Sequence, residues 1–137
     1  MTDYVKPLPE IGEVNRRFWE ATREGRLELQ RCTDCGHLRF PINDICPECL
    51  SRAHTWQPLS GDGEVFSYVV FHQVYNKAFV DDVPYNVALI QLDEGPRMFS
   101  NIVGTPNEQV SVGDRVRVVF DPVTDTVTLP RFELVKR

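Results

Sequence analysis

The sequence predicts a mainly β protein with one N-terminal helix, a small cysteine-bearing ribbon and a five-stranded C-terminal barrel. Three observations support this order of parts. All four cysteines of the 137-residue chain lie between positions 32 and 49, and apolar residues at helical spacing precede them. Short runs rich in Val, Phe and Tyr, separated by turn residues, follow them. The expected segments are an arm and helix at 1–26, the ribbon at 27–57 and the barrel at 58–137.

Composition places the chain among ordinary globular proteins. Apolar residues make up 42% of it and charged residues 26%, with a formal net charge of −5, which excludes a disordered or coiled-coil chain. No apolar run approaches the ~20 residues of a membrane span. The first residues contain neither a basic stretch nor an apolar signal core. We therefore expect a cytoplasmic protein that has no membrane partner.

The first predicted element is an amphipathic helix from residue 10 to about residue 24. Apolar residues recur at helical spacing from Ile11 to Phe18, and Gly25 supplies a C-terminal stop. Trp19 follows Phe18 directly, and neighbouring helical residues point about 100° apart, so the two rings cannot share one narrow face. Either a wide apolar stripe packs on the protein's own core, or one of these aromatic residues contacts another chain.

A metal site is the strongest chemical signal in the sequence. Two Cys-x-x-Cys pairs separated by ten residues supply four thiolates, from Cys32, Cys35, Cys46 and Cys49. Each pair lets two thiolates reach one ion while the backbone turns beneath them, and two pairs complete a tetrahedral site of the rubredoxin-like ribbon type. We call each Cys-x-x-Cys pair and its turn a cysteine knuckle. Gly36, directly after the second cysteine, suits the positive φ that such a knuckle requires. We therefore expect one structural Zn²⁺ ion.

Three other uses of these cysteines remain open. Two disulfides would suit a secreted protein, a thioredoxin-like redox pair requires a βαβ context, and a single iron fits the same four thiolates. The sequence shows no secretion signal and no βαβ pattern, which disfavours the first two uses. The cysteine spacing does not separate zinc from iron. No other residues have a spacing typical of catalytic groups, so we expect no catalytic residue.

From residue 60 onward the sequence consists of β-type runs. Five strands are expected, at residues 64–72, 86–92, 97–103, 115–120 and 126–135. Five short strands in about 75 residues make a small barrel, and the OB fold is the commonest five-stranded solution. The longest connection carries Tyr75, Phe79 and Tyr85. We expect these aromatic residues to form either a lid over the barrel end or a contact surface.

Single-stranded nucleic acid is the alternative ligand, because OB folds and zinc ribbons bind it by aromatic stacking in a basic groove. The charge disfavours this function, since residues 58–137 contain eleven acidic and seven basic side chains. Phosphate binding depends on Lys and Arg. Arg115 and Arg117 share one strand face and could form a local basic patch. We nevertheless expect the partner to be a protein rather than a nucleic acid.

The order of the motifs resembles one known family. The residues that carry the likeness are Phe18-Trp19-Glu20, 29–36, Phe40-Pro41, Cys46-Pro47-Glu48-Cys49, Trp56, 60–65 and 112–116. The chain is similar to the small zinc-ribbon and OB-fold proteins known as domain of unknown function thirty-five, also described as acyl-CoA-associated. The likeness covers nearly the whole chain. It implies that the four cysteines named above are the metal ligands.

The resemblance also implies a partner subunit rather than a free-standing enzyme. Members of the family look like companions of thiolase-fold acyltransferases, thiolases and side-chain-cleaving aldolases, and some associate with hot-dog-type hydratases. The resemblance implies that in such assemblies the small protein bridges or stabilises the thiolase-like dimer and helps to form its acyl-CoA channel. For this chain we expect a non-catalytic subunit that its thiolase-like partner requires. The residues expected to contact the partner are Phe18, Trp19, Tyr75, Phe79 and Tyr85.

Overall fold

The computed structural model describes residue 4 and residues 6–135. Within this part it contains one α-helix, α1 (Arg16–Arg23), and nine β-strands in two sheets. The strands are β1 (Glu28–Cys32), β2 (Leu38–Arg39), β3 (His54–Pro58), β4 (Asp62–Phe71), β5 (Tyr85–Leu92), β6 (Arg97–Ser100), β7 (Ile102–Val103), β8 (Arg115–Pro122) and β9 (Thr128–Leu134). The predicted mainly β class is confirmed.

Helix α1 is shorter than the predicted helix at residues 10–24. The Asn15 side chain accepts a hydrogen bond from the Gly12 N–H and donates one to the Glu10 carbonyl. These bonds hold the chain in a compact turn before the helix, so the helix begins only after Asn15. Phe18 is the large apolar residue that α1 buries.

Strands β1, β2 and β3 form the sheet of the ribbon, in the order β2-β1-β3. Both neighbours of β1 are antiparallel to it, and Gln30 at its centre faces Arg39 on one side and Trp56 on the other. The third strand is absent from the sequence prediction. It is short, mostly polar and ends at Pro58, so it lacks the apolar alternation that identifies a strand.

The remaining six strands form a sheet in the order β6-β5-β4-β8-β9-β7. It closes into a barrel because β6 and β7 are two halves of the expected strand 97–103, interrupted at Asn101. The first half pairs with β5, and the second half runs parallel to β9. The connectivity is therefore that of the expected five-stranded barrel, with its third strand broken.

The amide side chains of a buried and a partly buried asparagine satisfy backbone groups at this break. Asn86, which is 5% exposed, donates to the Ile102 carbonyl and accepts the Ile102 N–H. Asn101 donates to the Asn86 carbonyl and accepts from the Arg131 guanidinium. Because buried backbone groups need hydrogen-bond partners, these side chains allow one segment to change strand partners inside the barrel.

One hydrophobic core is shared by the helix, the ribbon and the barrel. Its buried members are Phe18, Leu27, Leu29, Leu38, Val65, Ala88, Ile90, Leu92, Met98, Ile102, Val110, Val116 and Phe132. Helix α1 contacts β1 of the ribbon as well as β8 and β9 of the barrel. Loss of any one segment would expose apolar surface of the others. None of the described helices is long and apolar enough to cross a bilayer.

Candidate metal centre and partner-binding surface

Four cysteine sulfurs meet at one end of the ribbon. All four Sγ atoms lie within 4.8 Å of one another. The Sγ atoms of Cys32 and Cys49 are 3.5 Å apart, and those of Cys35 and Cys46 are 3.6 Å apart. A tetrahedral ion with metal–sulfur bonds of about 2.3 Å requires sulfurs about 3.8 Å apart. The arrangement therefore fits a single ion with four thiolate ligands.

The two knuckles share one backbone pattern. The Gly36 N–H donates to the Cys32 carbonyl at 2.9 Å, and the Leu50 N–H donates to the Cys46 carbonyl at 2.8 Å. Both donor residues have a left-handed backbone conformation, with φ of 82° for Gly36 and 67° for Leu50. The sequence identified the glycine but not the leucine, because leucine carries no signal of a positive φ.

The thiol pKa values reflect backbone hydrogen bonds as well as the closeness of the four sulfurs. The backbone N–H of Cys35 lowers the pKa of Cys32 to about 6. The Ser51 N–H acts in the same direction on Cys49, but the neighbouring thiols and burial raise the pKa of Cys49 to about 12. Four thiolates this close repel one another, and a divalent cation would supply the compensating charge. The donor set therefore fits a structural thiolate-bound metal ion.

Phe18 lies in the core and not at the surface. Its ring is 3% exposed and contacts Trp19 edge to face, with ring centroids 4.8 Å apart. Trp19 is half-buried and lines an apolar groove of about 350 Å³ together with Phe40, Ile42 and Phe99. Of the two aromatic residues expected to contact a partner from α1, only Trp19 therefore offers surface.

The three aromatic residues expected on the long loop form a cluster with Phe71, although Tyr85 is the first residue of β5 and not part of the loop. The Tyr85 ring stacks against Phe71 and Phe79, with centroids 5.2 Å away in both cases. Tyr75 meets Phe71 edge-on at 6.0 Å and is 74% exposed. We call these four residues the loop aromatic cluster. Sequence reasoning missed Phe71, whose signal is its position in the predicted strand that precedes the loop.

The outer side of the barrel connects the groove to this cluster. The strand register places Val69 opposite Val87, and Leu89 opposite Phe99. We call these four residues the outer apolar face. Val87, Leu89 and Phe99 alternate with the buried positions of β5 and β6, and Val69 on β4 faces Val87. Val69 is 53% exposed and Phe99 is 70% exposed. Phe99 also lines the groove, and Val69 and Val87 each lie two residues from a member of the loop aromatic cluster on the same strand face, so the outer apolar face lies between Trp19 and that cluster.

A second cavity, of about 570 Å³, opens beside the loop aromatic cluster. Lys6 lines it and pairs with Asp82 at 2.8 Å, and its ammonium lies 5.8 Å from the centre of the Phe79 ring. Arg131 also lines it and pairs with Asp121 at 2.6 Å. Among the described lining residues, each cation thus has a carboxylate partner.

Three of the four barrel arginines that the structure describes, Arg97, Arg115 and Arg131, contact other side chains, whereas Arg117 of the expected basic patch is exposed. Arg115 donates to both carboxylate oxygens of Asp93, at 2.9 and 2.8 Å. These hydrogen bonds raise the pKa of Arg115 and lower the pKa of Asp93. The Arg97 guanidinium lies 3.7 Å from the centre of the Phe66 ring. This arrangement weighs against the basic groove that single-stranded nucleic acid would require.

Comparison with known proteins identifies both halves of the chain. A family model described as the ChsH2 rubredoxin-like zinc ribbon domain matches residues 19–55, and the ChsH2 C-terminal OB-fold domain matches residues 56–121. A solved structure described as "Ltp2-ChsH2(DUF35) aldolase" has a TM-score of 0.83 and 35% sequence identity. That match covers 93% of this chain and 98% of the other. The expected zinc-ribbon and OB-fold architecture is confirmed.

Curated relatives include scaffold proteins and subunits of CoA-ester enzymes. A "DUF35 domain-containing scaffold protein" of Methanocaldococcus jannaschii is 41% identical, over 76% of this chain and 74% of its own length. A "Probable enoyl-CoA hydratase alpha subunit" of Thermomonospora curvata is 36% identical over 93% of this chain, which spans only 40% of that relative. "Benzoylsuccinyl-CoA thiolase subunit BbsA" of Thauera aromatica is 29% identical, over 85% of this chain and 81% of its own length.

Proposed function

Because the chain belongs to the ChsH2 family of zinc-ribbon and OB-fold domains, which includes DUF35 scaffold proteins, we propose that it is a non-catalytic accessory subunit of a thiolase-like acyl-CoA enzyme. The partner would be an acyltransferase, a thiolase or a side-chain-cleaving aldolase. The outer apolar face carries this proposal, because continuous exposed apolar surface marks sites of protein association. Relatives named as thiolase and aldolase components support the class of partner.

The proposed contact has three parts. Trp19 lies at one end, and Phe18 supports it from the core. The outer apolar face lies in the middle, and the loop aromatic cluster lies at the other end. In that cluster the stacked Phe79 and Tyr85 support the exposed Tyr75 through Phe71. Large aromatic side chains of this kind dominate the binding energy of protein interfaces.

The metal site has a structural role in this proposal. We assign one Zn²⁺ ion to the four cysteines, where four protein ligands leave no coordination position for a substrate. The ion would stabilise the ribbon at 27–57, which joins the arm and helix at 1–26 to the barrel at 58–137. The proposed location is the cytoplasm, where thiols remain reduced and available to metal.

The proposal extends to an acyl-CoA at the shared interface. Among the described residues that line the groove beside Trp19, Arg131 alone is charged, so the groove suits an apolar acyl chain better than the CoA phosphates. The cations of the neighbouring cavity are already paired with carboxylates. Phosphate contacts would therefore come mainly from the partner. A hot-dog-type hydratase is a further proposed partner, supported by the hydratase relative.

Co-purification tests this proposal. The tagged chain is expressed in its native host, and any protein that elutes with it in stoichiometric amount is identified by mass spectrometry. We expect a thiolase-fold subunit whose activity falls when the chain is removed. Elution of the chain alone contradicts the proposal. Elution with single-stranded nucleic acid that dissociates as salt increases supports the alternative function instead.

A further inference from the structure

A buried arginine of the ribbon has no carboxylate partner among the described residues. Arg39 of β2 is 2% exposed, and none of the ion pairs in residues 4 and 6–135 includes it. Its Nη1 atom is buried without a hydrogen-bond partner in that same part of the chain. A buried charge is costly unless an opposite charge compensates it. The position of Arg39 therefore requires a source of negative charge.

Neutral oxygens hold the Arg39 side chain in place. Its Nε donates to Gln30 Oε1 at 3.2 Å, and its Nε and Nη2 both donate to the Asn43 carbonyl, at 3.1 and 3.0 Å. Gln30 Oε1 also accepts the Asn43 N–H at 2.9 Å. These contacts fix the guanidinium but leave its charge uncompensated.

The same contacts join the two halves of the cysteine site. Gln30 lies two residues before Cys32 on β1, so both side chains are on one face of the strand, and Arg39 faces Gln30 across the β1–β2 pair. Asn43 belongs to the segment that leads to Cys46. Arg39 thus ties the strand of the first knuckle to the loop that delivers the second.

The four-cysteine site lies on the same strand as Gln30 and follows the segment that contains Asn43, the two residues that hold Arg39. Four thiolates and one divalent cation carry a formal charge of about −2. We infer that Arg39 is a positioning residue of the metal centre, whose buried charge balances the thiolates and whose hydrogen bonds fix the spacing of the two knuckles. This inference rests on the proposed four-cysteine metal site and is independent of the proposed enzyme partner.

Three substitutions separate the charge of Arg39 from its packing. Arg39→Met removes the charge and the hydrogen bonds but retains an unbranched apolar stem. Arg39→Lys retains the charge but loses the two-pronged contact with Asn43. Gln30→Glu keeps an oxygen acceptor for Arg39 and places a carboxylate against it, which cancels its charge locally. Arg52→Met is the matched control, because Arg52 is an exposed ribbon arginine that pairs with Asp44 at the surface.

The measurement is zinc affinity by competition with a chromogenic chelator, together with the thiolate-to-cobalt absorption of the Co²⁺-loaded protein. Zinc content of the wild-type protein is determined first. A wild-type chain that binds no metal contradicts the metal site itself, whereas a metal-loaded wild type makes the comparison of variants decisive for Arg39.

We expect Arg39→Met to weaken zinc binding by about 10- to 100-fold, and Arg39→Lys to weaken it less. We expect Gln30→Glu to weaken it as well and Arg52→Met to leave it unchanged. Wild-type zinc affinity in Gln30→Glu overturns the inference, since the countercharge is then not required. That variant decides the matter even where Arg39→Met does not fold.

Discussion

Gly36 and Leu50 occupy the same position in the two cysteine knuckles, and each donates its N–H to the carbonyl of the first cysteine of its knuckle. Both have left-handed backbone, with φ of 82° and 67°. For a residue with a side chain, this conformation costs about 1–2 kcal/mol. Leu50 is 75% exposed, so burial of its side chain does little to offset that cost.

Replacement of Leu50 by glycine is therefore expected to stabilise the metal-loaded protein. Glycine has more conformational freedom in the unfolded chain, which offsets part of the relieved backbone strain. The net gain in the free energy of unfolding should therefore be about 0.5–1 kcal/mol. The matched change is Gly36→Ala, whose new Cβ meets no atom within 4 Å, so its cost of about 1 kcal/mol is conformational alone. Thermal unfolding measures both variants. A lower Tm for Leu50→Gly contradicts the equivalence of the two knuckles.

Removal of the metal is expected to unfold the ribbon and to destabilise the barrel. A segment of about 30 residues buries too little surface to fold without its ion. Leu29 and Leu38 of the ribbon belong to the core that also contains Phe132 of the barrel, so the barrel loses packing as well. Circular dichroism and thermal unfolding before and after chelation measure both effects. Unchanged spectra and an unchanged Tm refute this role of the metal, and elemental analysis distinguishes zinc from iron.

Stability is expected to depend on pH through Glu28. Its carboxylate is 4% exposed and accepts from Arg17 Nε at 2.8 Å and from Arg26 Nε at 3.2 Å. Burial raises the pKa of Glu28, but the two arginines outweigh burial and lower the pKa below its usual 4.5. A lowered folded-state pKa contributes stability above about pH 4.5 that is lost as the pH falls through the folded-state value.

The corresponding variant is Glu28→Gln. It is expected to lose about 1–2 kcal/mol at pH 7 and progressively less as the pH falls below 4.5. Denaturant unfolding of both proteins at pH 7 and at acidic pH measures the difference. An equal loss at both pH values shows that the charge of Glu28 is not responsible.

Asn86 is expected to be essential for closure of the barrel. Asn86→Ala leaves the N–H and the carbonyl of Ile102 without their partner, which should cost about 2–3 kcal/mol. The control is Asn76→Ala, which removes a single exposed hydrogen bond to the Ala78 N–H and should cost less than about 1 kcal/mol. Denaturant titration compares the two variants, and similar losses for both would contradict the role of the buried amide.

The order of helix, ribbon and barrel could be predicted because each part leaves a local signature, such as the cysteine spacing or the β-type runs. The features that could not be predicted depend on contacts between distant residues. The break at Asn101 arises because the residues before it pair with β5 and the residues after it pair with β9, and both strands are distant in sequence. Strand β3 is held by pairing with β1, while its own residues show no apolar alternation.

The proposed partner-binding surface also contains some residues that the sequence reveals and others that only the fold reveals. Trp19 and Tyr75 can be selected from the sequence, because an aromatic residue beside a helix stripe or on a long loop stands out. Leu89 and Phe99 cannot, because only the register of β5 and β6 brings them together on the outside of the barrel. Phe18 could not be assigned to the core until the helix was placed against the ribbon and the barrel.

Two valines provide the most direct test that the outer apolar face binds a thiolase-like subunit. Val69 lies on that face and is 53% exposed, whereas Val112 lies outside it and is 65% exposed. Each valine is replaced by serine, and Phe99→Ser is made as a third variant. The affinity of each variant for the thiolase-like subunit identified by co-purification is measured. We predict that Val69→Ser and Phe99→Ser weaken binding by about tenfold or more, while Val112→Ser has no effect. Wild-type affinity in both Val69→Ser and Phe99→Ser would contradict the proposed interface.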